Sequence, residues 1–90
     1  MKELLVTNQF KKDFKRIRRQ NKNMAKLDAV IELLLRDADL PSKYRDHQLK
    51  GKFKGLRELH VEPDWLLVYN VTAKEVILSR TGSHSELLGL

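Results

Sequence analysis

Three runs rich in Val, Ile, Leu, Tyr and Trp follow one another closely: Leu56–Val61, Trp65–Val71 and Glu75–Arg80. Connections this short cannot carry a crossover, so the three runs must pair as antiparallel neighbours. Val61-Glu62-Pro63-Asp64-Trp65 makes the first hairpin, with Pro63 fixing φ in the turn, and Val71-Thr72-Ala73-Lys74-Glu75 makes the second.

The first half of the chain has a different period. Glu3-Leu4-Leu5-Val6-Thr7 is a short apolar strand, expected at the centre of the sheet. Thr7 or Asn8 can then cap a helix running from Gln9 to about Gln20. Phe10, Phe14 and Ile17 form its narrow apolar stripe and belong to the core. After the polar turn Asn21-Lys22-Asn23, the residues Leu27, Val30, Ile31, Leu34 and Leu35 keep helical spacing through Arg36. Glu32 and Arg36 are a favourable pair one turn apart, and Leu40-Pro41 is expected to stop this helix.

So brief a connection makes the two helices an antiparallel hairpin. The whole is expected to be one α+β domain over residues 1–90, ordered β-α-α-β-β-β. The helix pair packs on one face of a small, mainly antiparallel four-stranded sheet, and the other face stays open. Ser42 to Gly55 shows no period and is expected to be an irregular basic loop pinned by Phe53. Ser83-His84-Ser85-Glu86 matches a capping box, so a short helical turn should begin at Ser83, with Leu87 and Leu88 packing back.

Composition excludes several chemistries. There is no cysteine, hence no disulfide, thiolate metal site or thiol nucleophile, and this suits a cytoplasmic chain. No apolar run approaches the length of a membrane span, which takes roughly 20 residues, and no signal peptide is evident. The formal net charge is +6. Lys11, Lys12, Lys15, Arg16, Arg18, Arg19, Lys22 and Lys26 form one basic run broken only by Asp13. Lys43, Arg45, Lys50, Lys52, Lys54 and Arg57 form another. Charge alone leaves two readings open, a solvated helix face or a surface for a polyanion.

The three histidines all fall after residue 46. His60 ends a strand, with Asp64 beyond the turn to accept from a ring nitrogen of His60 or His47 and fix its tautomer. Arg80 lies four residues before His84, and guanidinium suits bidentate phosphate binding. The histidine spacings, 13 and 24 residues, match no common metal-ligand pattern, so neither metal nor cofactor is expected.

Asp46-His47-x-Leu49-x-Gly51, Arg57-Glu58-x-His60-Val61-Glu62-Pro63-Asp64-Trp65 and Arg80-Thr81-Gly82-Ser83-His84 closely resemble YafQ-type toxins of the RelE/ParE superfamily. The resemblance spans nearly the whole chain. It implies a ribosome-dependent mRNA endonuclease, the toxin half of a type II toxin–antitoxin pair. It places catalytic residues at His47, His60, Asp64, Arg80 and His84. Lys50, Lys52, Lys54, Arg57, Trp65 and Leu88 are expected to face the substrate, although the family carries an aromatic where Leu88 stands.

RNA supplies its own nucleophile, the 2′-OH. A metal-free enzyme then needs a base, an acid for the 5′-oxygen and cations on the phosphate. On this reading the base is His47 or His60 with Asp64, the acid is His84, and Arg80 holds the phosphate. Lys11, Lys12, Lys15, Arg16, Arg18, Arg19 and Lys22 would dock on the ribosome. The resemblance further implies a cognate antitoxin, whose complex with the toxin would bind operator DNA through the antitoxin. The rival readings are a ParE-like gyrase inhibitor or a degenerate toxin that only binds its antitoxin, and a secreted barnase-like RNase.

Overall fold

The computed structural model describes residues 1–88, apart from the side chain of Lys52. Strand β1 (Glu3–Val6) leads into helices α1 (Asn8–Arg19) and α2 (Met24–Leu35). Strands β2 (His47–Gln48), β3 (Arg57–Glu62), β4 (Trp65–Val71) and β5 (Glu75–Gly82) follow, and helix α3 (His84–Leu88) comes last. The helix signals act where the sequence puts them. Thr7 Oγ1 accepts from the Phe10 N–H at 3.0 Å, and Asn23 Oδ1 accepts from the Ala25 N–H at 3.1 Å.

The strands form one sheet in the order β1-β5-β4-β3-β2. The meander is antiparallel as expected, but β1 runs parallel to β5, so the sheet is mixed. It has five strands, not four, because His47 and Gln48 pair with Glu58 and Arg57. Strand β1 is an edge strand, not a central one, and all four of its residues are exposed. An apolar run of that length has the same composition whether it is paired on one side or two, so periodicity could not place it.

Between sheet and helix hairpin lies a core of Phe10, Ile17, Leu27, Val30, Leu34, Leu59, Val61, Trp65, Leu67, Tyr69, Val76 and Leu78. Phe14 packs against it from the rim. Helix α2 ends at Leu35, short of Pro41, because Asp37 turns left-handed at φ 56°. Residues 42–55 are less irregular than expected, with 3-10 turns at Ser42–Tyr44 and Gly51–Phe53 on either side of β2. Phe53 is not among the core residues. It is exposed, and Tyr44 is the aromatic that packs on the core.

Candidate active site

Strand alternation sorts the side chains. Leu59, Val61, Leu67 and Tyr69 point to the helices. Directly paired residues share a face, so His60, Leu66 and Gly82 form one row on the opposite side. His47, Glu58, Val68 and Arg80 form the next row. Two histidines thirteen positions apart in sequence thus stand side by side, their ring centroids 6.3 Å apart. The third arrives from α3, with the His84 ring 5.7 Å from that of His60. The three imidazoles converge on one face, His60 in the middle.

Each ring is held differently. His84 lies inside the capping box, which forms fully: the Ser83 N–H donates to Glu86 Oε1 at 2.8 Å, and the Glu86 N–H donates to Ser83 Oγ at 3.2 Å. Asp64, at the tip of the β3–β4 hairpin, accepts from the His84 N–H at 2.9 Å and meets His84 Nδ1 at 2.6 Å. These contacts, the main-chain bond first, hold the Asp64 carboxyl below its ordinary range. The carboxylate fixes the ring and directs Nε2 outward. Asp64 therefore serves His84, rather than His60 or His47 as the sequence suggested.

His60 sits deeper. Its Nδ1 is buried and makes no full hydrogen bond among the described residues. Desolvation, with the nearby Arg45 charge, pushes its pKa below the ordinary imidazole value, partly opposed by Glu58 and the Tyr44 main chain. The ring is therefore neutral at neutral pH. His47 lies on the short strand β2, where its Nδ1 faces the Arg45 carbonyl at 2.9 Å and its Nε2 lies 3.5 Å from a Glu58 oxygen.

Arg80 stands on the same face, but its guanidinium turns to Asp13, with Nε donating to Oδ2 at 2.8 Å. Beyond Leu78, where β1 stops pairing, α1 runs along the free edge of β5. Asp13 accepts from the Thr81 N–H at 3.2 Å, and Arg16 donates to the Thr81 carbonyl at 2.8 Å, as a neighbouring strand would. Asp13 is fully buried. Burial opposes its ionisation, but bonds from Arg80, Arg16 and Thr81 outweigh it and keep the carboxyl below its usual range. Gly82 is required here: a Cβ would come within 2.4 Å of the Arg16 guanidinium, and φ is +154°.

Three residues assigned to RNA or ribosome contact have other partners. Trp65 is wholly buried and donates from its indole N–H to Thr81 Oγ1 at 2.9 Å, so it supports the site from beneath and cannot face a substrate. Arg57 is bound to Asp46 at 2.7 Å. Arg16 joins Asp13 at 2.8 Å and Glu86 at 3.0 Å instead of facing outward. Lys50, Lys54 and Leu88 are exposed, as are Lys11, Lys12, Lys15, Arg18 and Arg19, while Lys22 lies 5.5 Å over the Trp65 ring. The side chain of Lys52 lies outside what the structure describes. Among the described residues no group of three or more His, Asp or Glu is arranged to hold a metal ion, and no helix is long and apolar enough to cross a membrane.

Asp13 and Glu58 were passed over, yet both left a trace. Asp13 falls on the apolar stripe, three residues after Phe10 and four before Ile17, where a carboxylate needs a buried cation. Glu58 alternates in phase with His60, which puts both on one face.

The mixed five-stranded sheet thus carries the helix hairpin on one face and the three imidazoles on the other. The sequence model of YafQ, the bacterial toxin of type II toxin–antitoxin systems, matches residues 2–89, and the chain belongs to this family. It is 40% identical over 89 residues to the mRNA interferase toxin YafQ of Escherichia coli K12, covering 98% of this chain and 97% of that one. The crystal structure of YafQ from E. coli BL21(DE3) superposes with a TM-score of 0.93 at 39% identity, covering 99% of this chain and 100% of the other. YafQ in the E. coli DinJ–YafQ complex gives a TM-score of 0.91 at 40% identity, with the same coverage.

Proposed function

We propose that this protein is an mRNA endoribonuclease, the toxin of a toxin–antitoxin pair, and that it cleaves by acid–base catalysis on its three histidines. The observation that carries this reading is the convergence of His47, His60 and His84, with centroids 6.3 and 5.7 Å apart, on one face. His60, kept neutral by burial and by Arg45, is the base that takes the proton from the ribose 2′-OH. His47 beside it orients that nucleotide. The 2′-oxygen attacks phosphorus, the bond to the 5′-oxygen breaks, and His84 Nε2 delivers the proton to the leaving oxygen. The products are a 2′,3′-cyclic phosphate and a 5′-hydroxyl.

Asp64 keeps the His84 proton donor in register throughout. Arg80 supplies positive charge beside the phosphate, anchored through Asp13. The exposed cations of α1 dock the enzyme on ribosomal RNA, where backbone charge dominates affinity. The relative of known complex binds the antitoxin DinJ, and an antitoxin of matching chemistry is the expected partner here.

The test is single-turnover cleavage of message on programmed ribosomes, beside inducible expression in cells. His60→Ala and His84→Ala should each lower cleavage by at least about a hundredfold, the scale of a lost general acid or base, and should relieve growth arrest. Cleavage within a few-fold of wild type in both variants would remove the histidine mechanism.

A further inference from the structure

His47 reaches the site on a strand of only two residues, His47–Gln48. Two residues of pairing cannot fix a register by themselves. The residue two places before the pair makes the task harder, since Arg45 is a non-glycine residue in the left-handed region, at φ 48°. Something outside β2 has to hold the chain in this course.

Between the strained residue and the histidine stands Asp46, and its side chain points away from the site into the body of the protein. Arg57 grips its carboxylate from β3, with Nη2 to Oδ2 at 2.7 Å and Nε to both oxygens at 3.2 Å. The Tyr69 hydroxyl, from β4, donates to Asp46 Oδ1. Tyr69 is almost wholly buried and its ring belongs to the core, so this bond ties Asp46 to the core. Burial and the Asp46 carboxylate both push the Tyr69 hydroxyl well above its ordinary pKa, so it remains a donor. None of these three groups takes part in the proton transfers described above.

We infer that Asp46, Arg57 and Tyr69 form a latch of positioning residues that holds β2 against β3 and thereby sets the His47 imidazole beside His60. The latch works through a neighbouring residue. Pulling Asp46 inward leaves its sequence neighbour His47 on the outer face, the alternation a strand requires. The same fixed course carries the Arg45 carbonyl to His47 Nδ1, which favours the tautomer with the proton on Nδ1, while Nε2 lies 3.5 Å from Glu58 Oε1. The inference rests on the proposed role of His47.

Tyr69→Phe removes the hydroxyl and keeps the ring, so the core stays filled; Asp46→Ala removes the whole latch. Both are measured for cleavage on programmed ribosomes, alone and combined with His47→Ala. The expected result is a fall in kcat of roughly tenfold for Tyr69→Phe and up to about a hundredfold for Asp46→Ala, the scale of a small misplacement of a catalytic group. KM should stay within about twofold. In the His47→Ala background, Asp46→Ala should cost less than about twofold more, because its effect passes through the missing ring. A loss as large with His47→Ala as without it would overturn the latch. So would wild-type kcat in Asp46→Ala.

The imidazole nitrogen shifts of His47, read by NMR, give an answer that does not depend on activity. They should move from one tautomer toward a mixture in Tyr69→Phe and Asp46→Ala, while those of His84 stay. Unmoved His47 shifts overturn the latch. If His47→Ala alone leaves cleavage intact, the role of His47 fails, and the shifts still decide whether the latch exists.

Discussion

His60 is the residue whose chemistry depends most on where the fold puts it. Its pKa is depressed, first by desolvation and next by the charge of Arg45. A base with a depressed pKa is competent above that pKa and inactivated as pH falls through it. The acid limb of the kcat/KM profile should therefore lie below 6.5, the ordinary imidazole value. Arg45→Gln removes one depressing charge, so the limb should move up in pH. Glu58→Gln removes a group that favours the charged ring, so it should move the limb down. Stopped-time cleavage between pH 5 and 8 would show both shifts, and identical limbs in all three proteins would rule out His60 as the titrating base. At this scale much of the site was legible in the sequence, because His60, Asp64 and His84 sit in distinctive local patterns. The partner of each was not. Asp64 was matched to His60 or His47 by sequence proximity, whereas the hairpin tip meets α3 twenty residues on, at His84. Contacts between distant segments leave no local periodicity to detect.

Helix α1 illustrates what an element can hide. Its outward face is the expected basic surface, and its inward face carries Phe10 and Ile17 as the spacing requires. The buried Asp13 between them takes the place of a strand partner for Thr81 and an anchor for Arg80. Breaking a buried pair by removing one partner leaves uncompensated charge. Asp13→Ala should destabilise the fold by about 3 kcal/mol, read as a lower urea midpoint with unchanged slope, and should lower cleavage as well. The depressed Asp13 pKa gives the sign of the acid response. The stabilisation is present above the unfolded carboxylate value and is lost as pH falls through the folded one. Wild type should thus lose stability on acidification more steeply than Asp13→Ala. The elements themselves were legible from periodicity and caps, including the capping box of α3. The edge position of β1 and the extra strand β2 were not. The first turns on which side of β5 is free, and the second on a latch that lies outside the strand.

The charge of the whole molecule separates into two zones. Exposed Lys11, Lys12, Lys15, Arg18 and Arg19 line the outer face of α1, while Arg16, Arg57 and Arg80 are spent on internal carboxylates. The exposed cations of the first zone release counterions on binding RNA, as do exposed Lys50 and Lys54. Lys11→Ala with Lys15→Ala should weaken ribosome binding and flatten its log–log salt dependence by about one unit per lysine, with little change in thermal midpoint. An unaltered salt slope, measured by filtration binding across potassium concentrations, would place the docking surface elsewhere.

The three imidazoles reach their common face on supports of unequal length: a six-residue strand for His60, a two-residue strand for His47 and a five-residue helix for His84. Short supports open locally at far lower cost than a core strand does. On warming, such a molecule should fall silent before it melts. Turnover would decline across a range where the far-ultraviolet dichroism of the sheet and long helices is still flat, and it would return on cooling. A thermostat, rather than a denaturant, would then separate the working enzyme from the merely folded one.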